Sequence, residues 1–282
     1  KVLAAESFLA DMAQNVAGDR IRVETLIPLG MDPHAFEPVP QDVVKISDST
    51  VLIVNGAGFE EWLQKVLDNA GGKHQVIEAS AGLKSRDARE GEEVTATPIS
   101  TGQQQTQGDP HFWLDPISVI HYVENIRDGL IQADPAGRDV YTANAAAYIE
   151  KLQALDASIQ QQVSVIPVEK RLIVTNHESF GYFADRYQFK IIGTIIPSVT
   201  TGASPSAQQL ARLVDHIKST GVIAIFLEAG TNSQLADQVS KETGVKVITD
   251  LYTHSITPPG GKAPTYIDMM KYDVRTIVEN LK

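Results

Sequence analysis

The spacing of apolar positions divides the chain into alternating helical and extended stretches. In residues 5–17, AESFLADMAQNVA, the side chains of Phe8, Leu9, Met12 and Val16 return to one side at helical spacing. IRVETLIPLG at 21–30 reads as a strand that stops at Pro28 and Gly30. QDVVKISDS predicts a short helix. VLIVNG at 51–56 is an unbroken apolar run ending in glycine, the pattern of a strand buried on both faces. EEWLQKVLDNAGG predicts a helix with Trp62, Val66 and Leu67 inward and a glycine stop. HQVIEAS follows as another strand, and PISVIHYVENIRDGLIQ as another helix.

The longest periodic segment runs from Pro135 to Pro167, where Tyr148, Leu152, Leu155 and Ile159 form one apolar stripe. About 28 helical residues at 1.5 Å each would span about 42 Å, long for one small domain and suited to a strut between two. The alternation then resumes. RLIVTN, FKIIGTI, VIAIFLE and VKVITDL are strand-like, with helical patterns at SAQQLARLVDHIKSTG and SQLADQVSKETG between them. Strands alternating with helices predict parallel sheets. The expected fold class is therefore α/β, with one such set on each side of the long helix.

Composition narrows the function. The chain has 282 residues, enough for two domains, and its net charge of −11 disfavours nucleic acid, whose phosphates need clustered Lys and Arg. No apolar run approaches the length of a membrane span. Lys1-Val2-Leu3 leads straight into an amphipathic pattern, so no signal peptide is expected in these residues. There are no cysteines, which excludes thiolate catalysis and cysteine-held metal. A metal here must be held by His, Asp, Glu or backbone oxygen.

Residues 85–109 break the pattern, being polar without a sustained period. Such long segments are functional or disordered when they interrupt a compact domain. This one ends on GDPHFWLDP at 108–116, and the same Asp-Pro-His occurs in GMDPHAFEP at 30–38. Of seven histidines, His74, His121 and His216 fall in ordinary strand or helix settings. His34, His111, His177 and His254 each sit in or near a strand-to-helix loop, the edge where open α/β sheets bind ligands. His34 to His111 and His177 to His254 are both 77 residues. The strands VLIVNG and VIAIFLE do not share the histidines' offset, so the halves are not a clean repeat. Spacing alone leaves two readings open: four unrelated loop histidines, or a metal site in a cleft between lobes. Imidazole donors suit Zn, Cu, Fe and Ni, while Mn typically prefers oxygen. Proline ahead of His34 and His111 stiffens the turn that aims each ring.

GMDPHAFEPVPQDV, GDPHFWLDP, TNHESFGYFADRYQF, IFLEAGTNSQLADQVSKETGVKV and YIDMMKYDVRTIVENL resemble, in order and nearly end to end, the cluster A-I metal-binding proteins of bacterial ABC transporters. The resemblance implies two parallel-sheet α/β lobes joined by one long rigid helix, with the metal in the cleft between them. The lobes would be residues 1–135 and 167–282, and the linking helix 136–166. It implies an extracytoplasmic solute-binding protein, periplasmic or anchored outside the membrane by lipid, that hands Zn(II) to an ABC permease. A periplasmic metallochaperone would be a further partner, and the protein would act as a monomer without nucleic acid.

Carried over by motif, the metal ligands would be His34, His111 and His177. Manganese members often place Glu at the third position, so His177 resembles the zinc type. Family members usually carry a carboxylate in the loop after VKVITDL, where LYTHS offers His254, with Asp250 or water as rivals. Glu228 would hold a ligand imidazole in its tautomer, with Asp115 and Glu178 as weaker candidates. The 85–109 segment is often His-rich in zinc members. Here it has Gln103, Gln104, Gln105 and Gln107 and no His, so it would serve as a lid without collecting metal. The alternatives are a manganese-binding member of the family and a zinc-dependent hydrolase. His177-Glu178 begins like a zincin motif, but the residue four on from His177 is Gly181, and no other catalytic motif is present. The expectation is a binder and not an enzyme.

Overall fold

The computed structural model describes residues 1–71, 74–86 and 108–282. Most of the polar 85–109 segment, including its four glutamines, lies outside the described residues. The chain packs into two compact units that interleave along the sequence. One comprises Lys1–Lys84, Pro116–Ala157 and His254–Met269; the other comprises Ser158–Thr253, Met270–Lys282 and the described part of Ser85–Asp115. This division differs from cuts at 135 and 166. Residues 85, 86 and 108–115 fall with the second unit because Arg86, Asp109 and Trp113 bond there, as described below.

The first unit is built on a four-stranded parallel sheet of order β2-β1-β3-β4. Its strands are β1 (Val2–Ala4), β2 (Val23–Thr25), β3 (Val51–Val54) and β4 (Gln75–Glu78). Every residue of β3 is buried, as its unbroken apolar run demands. Helices α1 (Ser7–Ala17) and α4 (Ser118–Ala133) pack together, as do α2 (Pro40–Ser47) and α3 (Leu63–Ala70). Leu3, Leu26, Ile27, Ile46, Leu52, Val54 and Val66 close one core over the sheet, with Trp62 and Leu67 against it. β1, at the centre of the sheet, is a strand that periodicity does not reveal. Three buried residues are too few to show a period, and the run merges into α1. β2 keeps only three residues of the longer stretch that reads as extended.

The second unit repeats that order with β6-β5-β7-β8, again all parallel. The strands are β5 (Leu172–Thr175), β6 (Lys190–Thr194), β7 (Ala224–Glu228) and β8 (Lys246–Leu251). Helices α6 (Gly181–Tyr187), α7 (Ala207–Thr220) and α8 (Gln234–Thr243) connect them. Ser206 and Gln209 cap α7 reciprocally, each side chain accepting the other's backbone N–H. Val174, Ile192, Leu213, Ile217, Ile225, Leu227 and Val239 form the core. The two sheets thus share one topology although the sequence spacings differ.

The long helix α5 covers Arg138–Val163 and passes from the first unit into the second, as does α9 (Tyr266–Leu281). The stripe Tyr148, Leu152, Leu155 and Ile159 is buried throughout. Among the described residues no helix is long and apolar enough to cross a membrane.

Glu6 after β1 and Glu60 after β3 are among the carboxyl groups buried in the first unit. Glu60 accepts the backbone N–H groups of Asn55 at 2.5 Å and Gly56 at 3.1 Å, which favours its charged form. Burial, and then the charge of Glu60, pushes Glu6 well above the ordinary range. Burial also pushes Glu60 up to about 7 against those two amides. Each proton is held more tightly in the folded chain than in the unfolded one. Stability from this pair is therefore full below the ordinary glutamate range and is lost as pH rises through the raised values. Glu6→Gln, which keeps a neutral side chain, is expected to melt higher than wild type at pH 8.5 and to differ little at pH 5. A gain of about 1 kcal/mol corresponds to roughly 2–4 °C at this chain length. Thermal melts at the two pH values measure the gap.

Candidate metal centre

Both Asp-Pro-His turns are built by the same local bond. Asp32 Oδ1 accepts the backbone N–H of His34 at 2.9 Å, and Asp109 Oδ1 accepts that of His111 at 3.0 Å. An aspartate bonding two residues ahead makes an Asx turn, with proline between presetting φ. In the first turn Pro33 opens a single 3₁₀ turn, Pro33–Ala35, that carries His34. In the second, His111 stands at the head of the 3₁₀ turn Phe112–Leu114. Proline alone was the sequence argument for these turns. The aspartate two residues before each histidine supplies the other half.

In the first unit the His34 and His254 rings meet edge to face, with centroids 5.0 Å apart and planes at 89°. Phe59, next to Glu60, stands edge-on to His34 at 4.7 Å and lies 6.1 Å from His254. His254 is buried and His34 half-buried. Asp250, the rival of His254, is exposed at the end of β8.

In the second unit His111 and His177 are both fully buried, and their Nε2 atoms face each other at 3.2 Å. Each Nδ1 lies against a carboxylate. His111 Nδ1 is 2.9 Å from Asp109 Oδ1, and His177 Nδ1 is 2.9 Å from Glu228 Oε1 at the end of β7. A carboxylate at Nδ1 draws the ring proton there and leaves the Nε2 lone pair as the ligand atom. Two such lone pairs aimed at one another at that distance repel unless a proton or a metal cation stands between them. A tetrahedral zinc with Zn–N of about 2.05 Å sets neighbouring nitrogens roughly 3.3 Å apart, so the pair has the spacing of one edge of such a site.

Thr175 Oγ1 and the Ser179 N–H both donate to the His177 carbonyl at 2.9 Å, fixing the backbone just beyond β5. Burial pushes the Asp109 carboxyl up to about 7, while the His111 N–H and then the Arg86 guanidinium pull it back. Arg86 Nε in turn pairs with Asp185 at 3.1 Å. The Tyr182 hydroxyl takes the Arg86 N–H at 3.1 Å and gives its proton to the Asp109 carbonyl at 2.6 Å. Gly181, where the zincin pattern fails, has a packing reason to lack a side chain. A Cβ there would lie 2.5 Å from Arg86 Nη1 and 2.7 Å from Asp109 Oδ2.

The four sequence-derived histidines thus form two close pairs, one in each unit. Glu228 lies against a ring nitrogen, as the resemblance implies. Asp115 instead pairs with Arg186 at 3.2 Å. Glu178 faces Asp109 as a like charge and raises it. Asp109 went unnoticed in the sequence, although an aspartate two residues before a candidate ligand is a readable signal. The remaining histidines take ordinary places. His74 bonds the carbonyls of Ser49 and Gly71, and His121 lies 3.7 Å from Glu124 on the exposed face of α4.

The chain thus combines two parallel α/β sheets of one topology, a long helix with residues in both units, and paired imidazoles at loop ends. Residues 2–280 match the model of the family described as zinc-uptake complex component A, periplasmic, and the chain belongs to that family. It is 38% identical over its full length to the manganese-binding lipoprotein MntA of Halalkalibacterium halodurans, covering 88% of that relative. It is 33% identical to the iron-binding protein YfeA of Yersinia pestis, covering 99% of this chain and 85% of that one. The Mn-bound periplasmic metal-binding protein of Candidatus Liberibacter asiaticus superposes with a TM-score of 0.83 at 28% identity, over 100% of this chain and 99% of that one. The family is one of metal-uptake components, with relatives such as the manganese ABC transporter substrate-binding lipoprotein PsaA of Streptococcus pneumoniae, and not one of enzymes, so the hydrolase alternative falls.

Asp109→Asn keeps the turn but weakens the acceptor on His111 Nδ1. It is expected to cost roughly 10–100-fold in metal affinity. Asp32→Asn, at the carboxylate that accepts the His34 backbone N–H, is expected to cost far less. Competition titrations of the two variants against wild type measure the difference.

Proposed function

We propose that the chain is an extracytoplasmic solute-binding protein that captures Zn(II) with His34, His111, His177 and His254 together and passes it to an ABC permease. The observation that carries this reading is the buried His111–His177 pair, Nε2 to Nε2 at 3.2 Å with a carboxylate on each Nδ1. The His34–His254 pair supplies the other two donors. An all-imidazole set lacks the oxygen ligands that manganese prefers and suits zinc, which also binds such sites more tightly in the general order of divalent metals. The fourth donor is His254 and not Asp250, because His254 is buried against His34 whereas Asp250 is exposed. The periplasmic family description and the lipoprotein relatives support a location outside the cytoplasm, and the transporter relatives support the permease as partner.

Manganese is the second reading. It rests on MntA being a manganese-binding lipoprotein and on the Liberibacter structure being Mn-bound. Chelator-stripped protein titrated with Zn(II) and then Mn(II) against a chromophoric competitor separates the two. The expected result is one tight zinc equivalent and weaker manganese binding. His177→Ala is expected to lose more than the roughly 10–100-fold typical of an outer-shell change. Tight manganese binding with weaker zinc would establish the second reading.

A further inference from the structure

The chain leaves the second unit at Thr253 and enters the first at His254. The residues on either side of His254 are each tied to another histidine loop of their own unit. On the Thr253 side, the Trp113 indole Nε1 donates to the Thr253 carbonyl at 2.7 Å. Both residues are almost fully buried, and Trp113 lies two residues beyond His111 with its ring 5.1 Å from the His111 ring. The Asp273 carboxylate of α9 accepts the preceding N–H, that of Tyr252, at 2.9 Å. Two of the three peptide units ahead of His254 are therefore held. On the other side, Ser255 Oγ accepts the N–H of Gly30 at 2.8 Å, at the start of the His34 turn. Ser7 Oγ lies 3.2 Å from Ser255 Oγ and accepts the Ile256 N–H at 3.1 Å.

We infer that Trp113 and Ser255 are positioning residues for metal binding, which hold the backbone on both sides of His254 and so restrain its ring. This rests on the four-histidine reading above. The energetic logic is that of a prepaid site. An imidazole on a loop loses backbone freedom when it ligates, and bonds made before the metal arrives remove that cost. Neither Trp113 nor Ser255 needs to touch the metal. The indole both fills this space and donates a hydrogen bond, and phenylalanine does only the first.

The test uses Trp113→Phe, Ser255→Ala and Ser255→Thr, each alone and combined with His254→Ala, with Zn(II) affinity read by competition. Co(II) in place of zinc reports coordination number through its visible absorption. The expected result is about a tenfold to hundredfold loss for Trp113→Phe and Ser255→Ala, the usual scale for residues that orient ligands. Ser255→Thr, which keeps the hydroxyl, should restore affinity. In the His254→Ala background the same changes should cost little, because they act through that ring. The Co(II) band of Trp113→Phe should weaken as four-coordination is lost.

Wild-type zinc affinity in both single variants would overturn the inference while leaving the zinc site standing. An equal loss with and without His254 would also overturn it, since the effect would then be a general loosening of the fold. Failure of the wild-type chain to bind zinc at all would overturn the four-histidine reading itself. If Trp113→Phe does not fold, the two serine variants decide the outcome alone.

Discussion

The structure depends on a constraint at two ring nitrogens. A buried imidazole presents a firm ligand atom only if its other nitrogen is held, and here that is done by carboxylates. Asp109 takes Nδ1 of His111, and Glu228 lies against Nδ1 of His177. Much else in the second unit serves to keep those carboxylates in place. Tyr182 fixes the Asp109 carbonyl, Arg86 offsets its charge, and Gly181 leaves room for both. Glu228 ends a fully buried strand, so its carboxylate is set by the sheet and not by a loop.

The sheets explain why loops can be this exact. Each histidine follows a strand of a parallel sheet, or a turn braced by an Asx bond, and parallel sheets covered by helices are rigid supports for their carboxyl-edge loops. The same strand order occurs in both sheets; His34 follows β2 of the one, and His177 and His254 follow β5 and β8 of the other. The closed imidazole coordination proposed above would lack the open position and nearby general base that a catalytic zinc needs. That is physically consistent with a chain that carries metal and does no chemistry on it.

The α/β class, the long helix and the four histidines were legible in the sequence, because buried strands are apolar runs and α5 has an unbroken apolar stripe. β1 was not, since three buried residues carry no period. The histidine loops were legible from their place after strands, but their pairing was not. His34 meets His254, and His111 meets His177, across sequence distances that no local pattern encodes. Asp109, Trp113 and Ser255 were missed for a related reason. An aspartate before proline reads as a turn, a tryptophan as core and a serine as loop, and only the fold shows which atoms they reach.

The most direct test is the X-ray absorption spectrum of the zinc-loaded protein at the metal edge. The account predicts a single first shell of four nitrogens at about 2.0 Å with the outer scattering of imidazole rings. A shell with two or more oxygens, or a longer five- or six-coordinate one, would contradict it.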